Sequence, residues 1–244
     1  MNRGLQSGAA SLAGVLAGLL LIGLLLIAAV VWQAADMSFY AAEYAKYGNA
    51  AALAMSEADL LVVTGELLAY LRGEAPDMNI QAAIAGRRQE MFNEREKAHM
   101  IDVRLLYRRM LQAGGAGAAL CLAGGIFSLR RCGWRGAARA WGRGYLKALA
   151  LAAVAALALT ALITRDFTAF WTNFHGVFFT NDLWLLDPAT DRMIVMFPEG
   201  FFFDLVGAVL GLWAAGAGGA ALLAGAIVFW PGKSEAENRR LNYY

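Results

Sequence analysis

The sequence predicts an all-α integral membrane protein with four transmembrane helices and an extracytoplasmic helical and aromatic cap. Its composition is the first reason: 59% of the 244 residues are hydrophobic and only 16% are charged, whereas a soluble domain carries roughly 25% charged residues. The mean hydropathy of +0.49 agrees. This balance excludes a disordered chain, a nucleic-acid-binding protein and an ordinary soluble enzyme. The two cysteines are too few for a disulfide scaffold.

Four apolar stretches are the second reason. A helix needs about 20 largely apolar residues to cross about 30 Å of hydrocarbon. Stretches of this kind lie at about residues 11–32, 111–129, 146–164 and 205–230, and we expect them to form a single membrane domain over residues 1–244. The four prolines fall outside these stretches or at an end, as unbroken helices require.

The distribution of charge predicts the orientation. Residues 130–147, which join the second and third spans and include the start of the third, contain only basic charged residues, namely Arg130, Arg131, Arg135, Arg139, Arg143 and Lys147. Basic loops stay on the cytoplasmic side of a membrane. We therefore expect both termini to be cytoplasmic. Residues 36–110 and 165–204 then form the extracytoplasmic cap.

The two cap segments differ in character. In the first, tyrosines and leucines recur at helical spacing up to Gly73, and a second helix is expected from about Ile80 into the second span. The second contains eleven aromatic residues. An interfacial belt accounts for a few of them, and a confined cleft that receives lipid accounts for more.

His99 and His175 are the only histidines, and both are expected outside the membrane at similar depth, where they could converge. Four interpretations compete. They could be interfacial polar residues without chemistry, general acid–base groups, metal ligands together with Asp102 or Asp191, or axial haem ligands. No HExxH or CxxC motif accompanies them, so the metal signal is weak.

Two sequence blocks then indicate a family. EREKAHMIDVRLLY (Glu94–Tyr107) and FWTNFHGVFFTNDLWLLDPATDRMIVMFPEGFFFD (Phe170–Asp204), with a looser match at GELLAYLRG (Gly65–Gly73), resemble a bacterial family of integral membrane proteins that includes the lipoprotein intramolecular transacylases. Together the matching parts cover about a third of the chain.

The resemblance implies a reaction and a location. Members of the family move the acyl chain at the sn-2 position of a diacylglyceryl-modified lipoprotein to the α-amine of its N-terminal cysteine, which gives an N-acylated lyso-lipoprotein. His99 and His175 match the histidines regarded as catalytic in that family. The implied location is the bacterial cytoplasmic membrane, with the active site on its extracytoplasmic face. Lipoprotein and membrane lipid are the expected partners, and nucleic acid is not.

The remaining site residues are expected to support the histidines. Glu96 or Asp102 could orient His99, and Asn181 and Asp191 could position His175 or the substrate amine. Alternatively, the first two form surface ion pairs and Asp191 caps a turn. The predicted wall of the substrate cleft consists of aromatic side chains, namely Tyr70, Trp171, Phe174, Phe178, Phe179, Trp184 and Phe197.

Two other functions remain open at this point. One is a non-catalytic subunit that binds lipid or stabilises a partner, and the other is a metal-dependent membrane hydrolase. Because conversion of an ester to an amide is downhill, the transacylase is expected to need no cofactor and no metal.

Overall fold

The computed structural model describes residues 3–229, with side chains from residue 13 onward. The elements, in chain order, are α1 (Arg3–Ala35), α2 (Met37–Tyr47), α3 (Asn49–Ala52), α4 (Glu57–Arg72), β1 (Gln81–Ile84), β2 (Arg87–Glu90), α5 (Glu94–Arg165), α6 (Phe167–Phe178), α7 (Arg192–Met196) and α8 (Glu199–Phe229). The described residues form two compact units. Unit 1 contains residues 3–25, 115–157 and 213–229, and unit 2 contains residues 26–114 and 158–212.

Three of the described helices are long and apolar enough to cross a membrane: Ala13–Ala35, Glu94–Arg165 and Glu199–Phe229. The predicted first stretch lies within α1. The predicted second and third stretches both lie within α5. The predicted fourth lies in α8, except for residue 230, which is outside the described part of the chain.

Helix α5 is interrupted at Gly133. This glycine has φ 65° and ψ 173°, which is not a helical conformation and is accessible to glycine because it lacks a Cβ atom. Beyond it the chain folds back, since Trp141 Nε1 donates a hydrogen bond to Ser128 Oγ at 3.1 Å. The part of α5 that belongs to unit 1, residues 115–157, therefore forms two arms that pack against each other beside Gly133.

Small residues let the helices of unit 1 approach closely. A Cβ atom on Gly144 would lie 2.2 Å from the carbonyl oxygen of Gly14, so the α1 and α5 backbones are in direct contact. Close backbone contact through small residues is typical of membrane helix pairs. Two hydrogen bonds to backbone carbonyls add to this packing: Tyr145 to Ala217 at 2.8 Å and Trp213 to Ile22 at 3.2 Å.

Unit 2 has its own core, formed mainly by α2, α4, the β-hairpin and the start of α8. Tyr40, Tyr44, Leu60 and Phe201 are all buried there. The Tyr44 hydroxyl is hydrogen-bonded to the Thr64 hydroxyl at 2.7 Å, which satisfies both buried groups. The helical spacing of tyrosines and leucines in the sequence is confirmed by α2 and α4.

The helix expected from Ile80 was wrong over its first turns. Residues Gln81–Ile84 and Arg87–Glu90 instead form an antiparallel hairpin, so the fold is mostly helical rather than all-α. Ala85 and Gly86 both have positive φ values, 51° and 72°, as a two-residue hairpin turn requires. Helix α5 begins at Glu94 because Asn93 and Glu96 form a reciprocal capping box.

The Gly14–Gly144 contact predicts a matched pair of variants. Gly144→Val should lower the free energy of unfolding by about 1–3 kcal/mol, because the new side chain meets backbone that cannot move aside. The measurement is the thermal unfolding midpoint of the purified protein. Gly115→Val in the same helix is the control, since its Cβ atom would meet nothing within 4 Å. Equal midpoints for the two variants would contradict the close approach.

Candidate active site

The two histidines lie together in unit 2. His99 is in the second turn of α5, and His175 is in α6, which begins after Asp166 accepts a hydrogen bond from the Ala169 amide at 2.9 Å. The ring centroids are 6.1 Å apart. The side chains are 7% and 6% exposed, so both imidazoles are almost withdrawn from water. The predicted convergence is confirmed.

The backbone assigns the tautomer of His175. Its Nδ1 lies 2.8 Å from the carbonyl oxygen of Trp171, and because a carbonyl can only accept, Nδ1 carries the proton. In the neutral ring Nε2 then carries no proton and can accept one. The Trp184 ring stacks on the imidazole at 4.7 Å, and Trp171 meets it edge-on at 4.8 Å. Burial lowers the pKa of His175, although the Trp171 hydrogen bond opposes the shift.

His99 has an unpartnered polar atom. Its Nδ1 is buried without a hydrogen-bond partner within the described residues, and the Phe179 ring packs edge-on at 5.3 Å. Burial, helped by repulsion from His175, lowers the pKa of His99 to about 4, while Asp102 opposes this shift. His99 is consequently neutral at pH 7. A buried polar atom without a partner is rare.

A chain of hydrogen bonds connects the surroundings of the two histidines. Asp102 lies three residues after His99 on α5, and its carboxylate accepts a hydrogen bond from Asn181 Nδ2 at 2.9 Å. The backbone carbonyl of Asn181 accepts from Trp184 Nε1 at 2.9 Å. Since Trp184 stacks on His175, these bonds hold the segment after α6 against α5 and fix the indole over the imidazole.

The hydrogen bonds of Glu96 and Asp191 join the start of α5 to α7 and the residues just before α7. Both Glu96 oxygens are occupied, by the amides of Met193 and Asn93, each at 2.6 Å. Burial raises the pKa of Glu96 despite these bonds. Asp191 accepts from Asn93 at 2.6 Å and from the Asp187 amide at 2.7 Å. Burial alone would raise the pKa of Asp191, but these bonds hold it below its usual value.

The predicted cleft residues fall into three groups. Trp171, Phe174, Phe179 and Trp184 have rings in contact with a histidine ring. Phe178 contacts Phe174 at 4.8 Å and is 50% exposed. The other two belong to the core of unit 2: Phe197 packs among Tyr40, Tyr44 and Phe201, and Tyr70 lies beneath Arg104.

Two residues of the site were not identified from the sequence. Asn93 bonds to both Glu96 and Asp191, and the Asn-x-x-Glu spacing before a helix could have revealed it. Phe202 stacks on Trp171 at 4.4 Å, but it lies in a run of three phenylalanines that gives no signal for one ring over another. Within residues 3–229, no three His, Cys, Asp or Glu side chains are grouped closely enough to hold a metal ion.

Comparison with known families identifies the chain. The model of the family described as "Lipoprotein intramolecular transacylase Lit" matches residues 15–202. The chain belongs to this family. It is therefore an enzyme, an intramolecular transacylase of lipoproteins, and the resemblance seen in the sequence is confirmed.

Solved structures of this transacylase family share the fold. The in meso structure of the membrane integral lipoprotein intramolecular transacylase Lit from Bacillus cereus has a TM-score of 0.70 and 20% sequence identity, and the match covers 93% of this chain and 97% of that one. A variant of the Bacillus cereus protein with one histidine replaced by arginine matches with a TM-score of 0.69 and 18% identity, over 98% of this chain and 96% of that one. No curated protein matches the chain.

The two buried imidazoles predict an unusual titration. Because the chain has only two histidines, ¹⁵N-histidine labelling gives two resolvable sets of nuclear magnetic resonance signals. We expect His99 to titrate at about pH 4 and His175 below its usual value, with the Nδ1-protonated tautomer of His175 at pH 7. Assignment uses His99→Gln and His175→Gln. Titration of both rings near pH 6.5, the value for an exposed imidazole, would contradict the buried arrangement.

Proposed function

We propose that this transacylase moves the sn-2 acyl chain of a diacylglyceryl-cysteine lipoprotein onto the α-amine of that cysteine, with His99 and His175 as the catalytic pair. The observation that carries the proposal is the pair of neutral, buried imidazoles with ring centroids 6.1 Å apart, in a chain of the transacylase family. The product is an N-acylated lyso-lipoprotein.

His175 acts as the base. An α-amine has a pKa near 7.7–8.0 and is largely protonated at pH 7, so a group must remove its proton before it attacks. The Nδ1–H bond to the Trp171 carbonyl leaves Nε2 free to accept that proton. The same bond stabilises the ring once it becomes positively charged, as the orienting group does in a catalytic triad.

His99 donates a hydrogen bond to the substrate oxygens on which negative charge develops, namely the ester carbonyl oxygen and the leaving glyceryl oxygen. The amine attacks the ester carbonyl, a C–N bond forms, and the negative charge moves to the carbonyl oxygen. The nitrogen of the tetrahedral intermediate loses a second proton, and the glyceryl oxygen takes up one proton as its C–O bond breaks. Of the two protons that leave the ammonium group, one therefore ends on the glyceryl hydroxyl and the other is released from His175 to solvent. A neutral imidazole supplies one N–H donor, and the low pKa of His99 makes it a stronger donor when it does become protonated.

The aromatic rings serve the reaction by holding the substrate and excluding water. Both reacting groups belong to one molecule, so correct placement can supply several of the roughly 7–11 kcal/mol available to ideal intramolecular reactions. Trp184, Trp171 and Phe179 cover the imidazoles. Without water the ester cannot be hydrolysed in place of being transferred. Four polar residues act by fixing the surroundings of the imidazoles. Glu96 and Asp191 fix the start of α5. Asp102 and Asn181 fix the position of Trp184.

The proposed topology places this site on the extracytoplasmic face of the bacterial cytoplasmic membrane. Four crossings, at about 11–32, 111–129, 146–164 and 205–230, follow if α5 turns at Gly133. At 1.5 Å per residue its 72 residues would otherwise extend about 108 Å. Arg130, Arg131 and Arg135 surround that glycine, which supports a cytoplasmic turn and cytoplasmic termini.

Replacement of either histidine should abolish the transfer. A reporter lipoprotein is co-expressed with the wild type, His99→Ala or His175→Ala in a host without its own N-acylating enzymes, and mass spectrometry fragments its N-terminal peptide. Because the transfer conserves mass, the fragments must locate one acyl chain on nitrogen and one on glyceryl. We expect this product from the wild type only, with a loss of at least about 10²-fold in either variant.

Val177→Ala is the matched control, because this residue is on the helix of His175 and is 77% exposed. Unchanged diacylglyceryl-cysteine with an expressed wild type would overturn the proposed reaction and favour a lipid-binding subunit. Free fatty acid with a lyso product and no N-acyl group would indicate a hydrolase.

Removal of Trp184 should change both the pH dependence and the outcome of the reaction. Burial lowers the pKa of His175, so Trp184→Ala, which exposes the ring, should raise that pKa and shift the acidic limb of kcat to higher pH. Water would also enter, and the ratio of free fatty acid to N-acyl product should increase. Trp184→Phe keeps a stacking ring and should resemble the wild type. An unshifted pH profile in Trp184→Ala would contradict this role.

A further inference from the structure

A groove of about 610 Å³ lies on the side of α5 away from the histidine pair. Arg104 and Arg108 line it, five and nine residues after His99, and successive residues of an α-helix are about 100° apart around its axis. These positions are therefore about 140° and 180° from that of His99. The other lining residues are Tyr70, Pro76, Asp77, Met78, Asn79, Glu94, Lys97, Ile101 and Leu105. The groove is separate from the candidate active site and lies within unit 2.

Two cations of the groove form no ion pair with a carboxylate in the described part of the chain. Lys97 forms ion pairs with Glu90 and Glu94, which neutralise it. Among the ion pairs of the described residues, none includes Arg104 or Arg108. The positive charge that remains in the groove is consequently that of Arg104 and Arg108, which lie one helical turn apart on α5.

The guanidinium of Arg104 is held in a fixed position. It lies over the Tyr70 ring, 4.4 Å from the centroid, and Nη1 donates to the Pro76 carbonyl at 3.4 Å. Its Nε is buried and has no hydrogen-bond partner within the described residues. Because Nε is buried, an anion in the groove can be bound only by the other N–H groups of this guanidinium, for which an anionic oxygen is the best acceptor.

The position along α5 identifies the kind of anion. Leu111 begins the apolar stretch, and at 1.5 Å per residue Arg108 lies about 4.5 Å and Arg104 about 10 Å before it. The headgroup layer extends about 5–8 Å beyond the hydrocarbon on each side. Ile101 and Leu105, which also line the groove, are 60% and 46% exposed. By these distances Arg108 lies within the headgroup layer, and Arg104 and Leu105 lie a few Å beyond its outer edge.

We propose that this groove binds the phosphate of a membrane phospholipid through Arg104 and Arg108, with the lipid's apolar part against Leu105. Of the two carboxylates in the lining, Glu94 is paired with Lys97, and Asp77 Oδ1 accepts a hydrogen bond from the Asn79 amide. The diacylglyceryl-cysteine substrate carries no phosphate in its lipid. The bound phospholipid is therefore a second lipid, distinct from the one whose ester reacts.

The test measures lipid binding to the purified full-length protein by native mass spectrometry. The probe is a dioleoyl phosphatidylglycerol, compared with dioleoylglycerol, which has the same chains without phosphate. We expect the phospholipid to bind more tightly than the diacylglycerol. In the Arg104→Gln/Arg108→Gln variant its affinity should fall by about tenfold or more, the cost of a lost charge-assisted hydrogen bond.

Two further variants make the test specific. Arg109→Gln removes the same charge from the same helix at a position outside the groove lining, and it should bind as the wild type does. Arg108→Gln alone keeps the contact of Arg104 with Tyr70, so it should fold as the wild type does and bind several-fold more weakly.

Three results would overturn the proposal: wild-type affinity in Arg108→Gln and in the double variant, equal binding of dioleoylglycerol, or equal binding of inorganic phosphate at the lipid's concentration. No transacylase substrate is present, so the result is independent of the proposed reaction.

Discussion

The start of α5 is the constraint on which the candidate site depends. Glu96 is 1% exposed, and a carboxyl group at that depth is tolerated only if its oxygens are hydrogen-bonded. The amides of Asn93 and Met193 meet this need. Asn93 also binds Asp191. The first turn of α5 is therefore fixed to α7 through buried polar bonds, and His99 lies one turn further along the same helix.

The burial of the histidines decides which chemistry they can perform. An imidazole in water is partly protonated at neutral pH, whereas burial lowers the pKa of both His99 and His175 and keeps both rings neutral. Two neutral rings can stand close together without repulsion. In the proposed reaction one ring is the acceptor and the other the donor, and the hydrogen bond of His175 Nδ1 to the Trp171 carbonyl distinguishes the two proposed roles.

The sequence predicted the long apolar helices, since apolar length is summed over many residues and small errors average out. It also predicted that the two histidines converge. Local features were predicted less well. The β-hairpin depends on two positive φ values at Ala85 and Gly86, and alanine there carries no turn signal. Glu96 shares a helix face with His99, yet its partner is an amide 97 residues away. Helical periodicity identifies a face of a helix but not the partner that covers it. For the same reason the sequence did not show that Tyr70 and Phe197 belong to the core of unit 2 rather than to the wall of the cleft.

The unpartnered Nδ1 of His99 is best understood from the energetics of the reaction. A protein group bonded to this atom would have to be displaced before the atom could serve a substrate, and that displacement would cost about as much as the new bond returns. A preorganised donor or acceptor has no such cost when charge develops in the transition state. The free protein instead bears the cost of a buried polar atom without a bond. Only interactions stronger in the transition state than before it raise the rate. The unpaired Nδ1 of His99, on a ring whose centroid lies 6.1 Å from that of His175, therefore supports the proposed catalytic role of His99.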